Sequence, residues 1–203
     1  MPLSNLGLAL WCLHDACRYL VLAGSHRRPG MDAALEAVLA AAMLAAAVLS
    51  LRRPAARLKG HGAWTWVVVI LSCLWPVART LPQAAGPPGD PTVVLLVRLI
   101  AAGSLLAATL TLGQSFAVFP AVRRIVSAGP YRVVRHPFFA SYLLFDLPGW
   151  ATAASPWHAG LLWVLEAALL AERARLEERC LEEDPAYRDY RERVRYRFIP
   201  GLV

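Results

Sequence analysis

What most limits this chain is how much of it is apolar in unbroken runs. Leu3–Leu22, Ala33–Leu51, Ala63–Val77, Thr92–Leu112, Phe138–Ala154 and Trp157–Ala171 each read as a helical segment, close to the roughly 20 residues that a helix needs to cross a bilayer core. With 58% hydrophobic content in 203 residues and a mean hydropathy of +0.46, a water-soluble domain would have no core large enough to hide the surplus. The expected fold is therefore all-α, a polytopic integral membrane helical bundle of about five to six membrane segments. The last two runs are short and separated by Ser155-Pro156, which predicts a helical hairpin.

The first run lacks a basic leader and carries His14, Asp15 and Arg18, so it reads as a retained helix rather than a cleaved signal peptide. Cys12, Cys17, Cys73 and Cys180 show neither a disulfide framework nor zinc-ligand spacing, and read as small packing residues with no metal implied. A net charge of +7 could indicate nucleic acid, but the cations sit in short loops beside apolar runs, where the positive-inside rule accounts for them and no nucleic-acid partner is needed. Arg52, Arg53, Arg57 and Lys59 share one such loop, and Arg123, Arg124, Arg132 and Arg135 another two segments later, so both are expected to face the cytoplasm. His26, Arg27 and Arg28 run against that orientation. The Gly86-Pro87-Pro88-Gly89 stretch reads as an external turn. The Ala-rich stretch Ala40–Val48 suits close helix packing.

The chain changes character at Glu172. From there to Arg197 eight arginines alternate with eight acids, the mark of a water-facing segment. Asp184-Pro185 is a helix start signal, and Tyr187, Tyr190 and Val194 then recur at helical spacing, giving a cytosolic amphipathic helix able to lie on the membrane surface or close over a pocket.

Chemistry concentrates in the polar hinge Gly129-Pro130-Tyr131-Arg132-Val133-Val134-Arg135-His136-Pro137. Gly129-Pro130 forces a turn, and Pro137 holds His136 extended and opens a helix. The free amides at that helix start suit an anionic group; the plainer alternative makes Arg132 and Arg135 interfacial anchors and His136 a helix cap. Further on, Arg173 and Glu177 are four apart, as are Ala174 and Glu178, so one Arg and one Glu share a helix face. Standing alone, they would be a surface ion pair worth under about 1 kcal/mol. Asp15, Arg18, Arg98, Asp146 and Glu166 fall within apolar runs, where charges need a partner or a wet cavity.

Gly113-Gln-Ser-Phe through Arg123-Arg-Ile-Val-Ser-Ala-Gly-Pro-Tyr-Arg-Val-Val-Arg-His-Pro-Phe-Phe, with Arg173-Ala-Arg-Leu-Glu-Glu and Tyr187-Arg-Asp-Tyr-Arg-Glu-Arg-Val, resembles the isoprenylcysteine carboxyl methyltransferase family, which is itself akin to the membrane phospholipid methyltransferases. The resemblance covers the last 90 or so residues; the earlier ones match only as membrane helices. It implies a division into residues 1–112, a substrate-access bundle, and 113–203, a catalytic region that binds S-adenosylmethionine. By motif position, the backbone around Arg124, Ile125 and Val126, then Tyr131, His136, Pro137, Phe138 and Phe139 would surround the cofactor. Glu177 would bind it from the hairpin exit. Arg173, which would orient the substrate, and Glu178 are the catalytic candidates. The family usually has Tyr and Gly where this chain has Phe139 and Ser141, which removes a phenol hydroxyl and narrows a close helix approach.

The resemblance implies methyl transfer to a lipophilic acceptor, a small molecule or lipid, by in-line attack. A carboxylate acceptor needs alignment and dry surroundings more than acid–base help, whereas an amine would need a base, for which Glu178, Asp146 and Glu166 are candidates. Two other classes compete. A sterol-type membrane reductase using a nicotinamide cofactor shares the Arg-His-Pro turn, but the acids at Glu177 and Glu178 disfavour a phosphate-rich ligand. A non-enzymatic scaffold would bind neither cofactor. The Ala, Leu and Arg usage points to the inner membrane of a bacterium with a GC-rich genome, with the cofactor site facing the cytoplasm.

Overall fold

A computed structural model describes residues 12, 13, 16, 17, 31–52, 54, 58, 59, 62–78, 91–151, 153 and 155–202. Most of the first apolar run, with Asp15 and Arg18, lies outside the described residues, as do the basic residues His26–Arg28 and the Gly86–Gly89 turn.

Among the described residues six α-helices carry the fold: α1 (Met31–Leu51), α2 (Ala63–Ala78), α3 (Pro91–Leu112), α4 (Pro137–Ala151), α5 (Pro156–Leu181) and α6 (Pro185–Arg193). The only pairing of strands among the described residues is a two-residue antiparallel ladder, Leu58–Lys59 with Ala121–Val122, in which Leu58 faces Val122 and Lys59 faces Ala121. It joins the loop after α1 to the loop after α3. Among the described residues one helical stretch, Thr92–Ser115, is long and apolar enough to cross a membrane. Ala37–Leu49 and Ala63–Trp75 are apolar but shorter.

The α1–α3 contact is built on small residues. Ala42 and Ala46 of α1 and Ala101, Ala102 and Ala108 of α3 are fully buried, which lets the two backbones approach closely, and Leu35, Leu39, Met43 and Leu105 fill the space between them. α4 follows as α3's other neighbour. There Ser141 Oγ donates to the Pro137 carbonyl at 2.8 Å and lies 2.9 Å from Ser104 Oγ, from which it can accept, so the Ser141 hydroxyl is used as a cross-helix tie. α4 and α5 are consecutive and packed together, and Trp163 Nε1 of α5 donates to the Leu143 carbonyl of α4 at 3.0 Å.

α5 outruns its apolar stretch. Instead of ending near Ala171 it continues to Leu181, 26 residues in all, because Ala, Glu, Arg and Leu are all good helix formers and no breaker intervenes. The first stop is Asp184-Pro185. Asp184 accepts from the Ala186 amide at 2.9 Å and Pro185 occupies the first helical position of α6, as the start signal predicts. Tyr187, Tyr190 and Val194 then bury one stripe against Ile125 and Leu181.

Candidate functional site

The hinge begins where α3 ends. Gly113 (φ 52) closes α3 and Gly129 (φ 54) opens the short 3₁₀ turn Gly129–Arg132. At Gly129 two constraints coincide: the left-handed backbone and the wall of α3, since a Cβ would stand 2.9 Å from Thr111 Oγ1. Pro130 accepts from the amides of Val133 and Val134. The chain then pairs with the carboxy-terminal strap: the Arg135 amide donates to the Tyr196 carbonyl and the His136 amide to the Arg197 carbonyl, both at 2.8 Å. α4 starts at Pro137, as expected, with the His136 carbonyl accepting from Ala140.

Glu178 locks this arrangement. Its Oε1 accepts from Arg135 Nε at 2.9 Å and lies 3.1 Å from His136 Nε2. Its Oε2 accepts from Arg197 Nε at 3.0 Å and Nη2 at 2.8 Å. Arg135 also donates to the carbonyls of Val194 and Arg195. Burial alone would push the Glu178 carboxyl up, but the hydrogen bonds from His136, Arg197 and Arg135 outweigh it and hold the group far below the usual carboxylate range. The acid thus knots hinge, α5 and strap together.

Above this knot lies a cavity that opens to the outside, its empty space ≈ 1370 Å³ when counted to the open mouth. Arg124, Ile125, Val126 and Tyr131 line it from the loops, His136, Phe138 and Phe139 from the start of α4, and Arg173 and Glu177 from α5. Nine of the eleven residues singled out from sequence therefore converge on one space. Pro137 and Glu178 are not among the lining. For Glu178 the reason is helical geometry: neighbours on a helix point about 100° apart, so Glu177 shares the cavity face with Glu166, Leu170 and Arg173, while Glu178 follows Ala174 into the protein.

Arg173 is set between two anchors. It donates through Nη1 to Ser72 Oγ on α2 and through Nη2 to the Val118 carbonyl, both at 2.8 Å. Its guanidinium lies 5.1 Å from the centre of the Phe139 ring, which stacks on His136 at 5.6 Å with only 7° between planes. Arg173 makes no ion pair with a carboxylate among the described residues. The sequence suggested Glu177 as its mate; the side chain turns to neutral acceptors instead and keeps its charge for the cavity. Burial first, then Glu177 and Tyr190, push the Tyr131 phenol up, and Tyr190 Oη donates to the Tyr131 carbonyl at 2.8 Å.

Ser72 and Arg197 also belong to the site and were not singled out for it, whereas Arg135 was read as part of the polar hinge. Arg197 was visible only as one cation among many, and Ser72 sits in an apolar run with no local signal. Tyr187 and Tyr190 were legible as a stripe that could close over a pocket. Of the charges in apolar runs, Glu166 lines the cavity, Asp146 is buried on α4 outside it, and Arg98 lies 5.7 Å over the Phe145 ring. Among the described residues no group of three or more His, Cys, Asp or Glu could hold a metal ion.

No curated protein matches the chain. A family model matches from the first turns of α3 to just past the end of α5, beginning upstream of the expected motifs and stopping short of Tyr187. The resemblance carried by the hinge and the acid pair is borne out: residues 93–183 match the isoprenylcysteine carboxyl methyltransferase (ICMT) family.

Proposed function

We propose that this chain is a membrane methyltransferase that takes S-adenosylmethionine as donor and a lipophilic carboxylate as acceptor. The observation that carries the proposal is a cavity lined jointly by Arg173, Glu177 and the aromatic start of α4. The residues fit the donor chemically. Phe138, Phe139 and the Glu177 carboxylate suit a cation, the loop walls of Ile125 and Val126 suit an apolar ring, and the amides at the start of α4 suit a carboxylate. When bound, S-adenosylmethionine would supply a methyl group on a sulfonium sulfur, whose transfer to a carboxylate oxygen leaves a thioether and a neutral ester.

The chain's own residues supply position and surroundings. Arg173 offers a bidentate donor pair to an acceptor carboxylate, while Ser72, the Val118 carbonyl and the Phe139 face fix its direction. Because a carboxylate is already a nucleophile, no base is required, and catalysis rests on alignment and on excluding water. Glu178, with both oxygens held, is poorly placed to take a proton. An amine acceptor remains a second reading because Glu166 lines the same cavity and could serve as its base. A lipophilic acceptor would enter from the lipid between helices, and the donor from the cytoplasmic side.

Detergent-purified protein should be stabilised against heat by S-adenosylhomocysteine and not by NADPH. Stabilisation by NADPH alone would favour a reductase, and stabilisation by neither a scaffold.

A further inference from the structure

Tyr187 and Tyr190 stand side by side on α6, ring centres 5.8 Å apart, in chemically opposite situations. Tyr190 Oη has its partner in the Tyr131 carbonyl. Tyr187 is also buried, 2% exposed, but its hydroxyl has no hydrogen-bond partner among the described residues. A buried hydroxyl left unmet costs stability, so a phenylalanine would serve the packing of this stripe better. Tyr187 also lines the cavity, beside Ile125, Leu181 and Glu177.

Resting on the methyltransferase reading, we infer that the Tyr187 hydroxyl is the hydrogen-bond donor that holds the nucleoside part of the bound cofactor. The place suits that part of the molecule. Ile125 and Leu181 pack against the tyrosine stripe and give apolar walls for a flat ring, while Glu177 adds an acceptor, so donor and acceptor together complement a purine edge or a ribose. Charged ligand groups belong instead with Arg173 and the start of α4. Burial, then the nearby Glu178, push the Tyr187 phenol up, so it stays a donor throughout the physiological range.

The test compares the full-length wild type with Tyr187→Phe and Tyr190→Phe, measuring calorimetric binding of S-adenosylhomocysteine and of 5′-methylthioadenosine, which lacks the amino-acid part, together with the ligand-free Tm. Tyr187→Phe should bind both ligands about tenfold more weakly, the equivalent of one lost hydrogen bond, with a ligand-free Tm equal to or above wild type. Tyr190→Phe should instead lower the ligand-free Tm. Unchanged binding by Tyr187→Phe, a loss confined to S-adenosylhomocysteine, or a lowered ligand-free Tm would each overturn the assignment. A wild type that binds neither ligand would overturn the methyltransferase reading beneath it.

Discussion

Glu177 and Glu178 are chain neighbours with different employment, and the difference sets what each substitution should do. Glu178 joins two arginines and His136 in a buried knot, so Glu178→Gln leaves Arg135 and Arg197 without their counter-charge and should cost about 3 kcal/mol or more, read as a fall in Tm in detergent. Its pH signature follows from the depressed folded value. The stability it contributes is complete above the ordinary carboxylate value of 4.5 and is lost as pH falls from there towards the folded value. Wild-type Tm should therefore drop in acid along a limb that Glu178→Gln flattens; an acid limb of unchanged steepness would count against the knot. Gly129→Ala meets both the left-handed backbone and Thr111 and should lower stability by about 1–2 kcal/mol, whereas alanine at Gly62, where a Cβ finds open space, should not.

Among the elements, α5 does most to build the site. Glu166, Leu170, Arg173, Glu177 and Leu181 all line the cavity from one helix, the i, i+4, i+7 progression of a single face. α2 braces that helix through Ser72 to Arg173 and Trp64 Nε1 to Glu172. Two variants should separate the roles: Arg173→Ala keeps S-adenosylhomocysteine binding within about threefold yet stops turnover, while Glu177→Ala loses binding itself. Equal losses of binding in both would merge the two roles. Much of this was legible in the sequence, because the signals are local. Gly129-Pro130 and Pro137 fix the hinge and the start of α4, Asp184-Pro185 the start of α6, and the spacing of Arg173 and Glu177 their common face. What was not legible depends on partners distant in the chain. Nothing near Ser72 marks it as the anchor of a residue about a hundred positions later, and Glu178 and Glu177 look interchangeable until the helix has packed. The extent of α5 was misread because hydropathy marks where a helix leaves an apolar environment, not where it ends.

At the scale of the whole molecule, apolar stripes face outward. Trp64, Val67, Leu71 and Leu74 of α2, Val93, Leu96 and Ile100 of α3, and Trp157, Leu161, Val164 and Leu165 of α5 are all exposed, an arrangement that lipid would cover and water would not tolerate over so large an area. Polar residues gather instead at the other end of α5, around the hinge, α6 and the strap. The cavity between these two regions is apolar at Met43, Phe116 and Leu170 and charged at Arg124 and Glu177, a lining consistent with the proposed pairing of one greasy and one water-soluble reactant. The most direct test gives membranes containing the full-length chain S-adenosylmethionine labelled on its methyl group and follows the lipid-soluble fraction. The account predicts label that alkali releases as methanol, present with the wild type and absent with Arg173→Ala. No incorporation above membranes lacking the chain, or the same labelled product from Arg173→Ala, would contradict it.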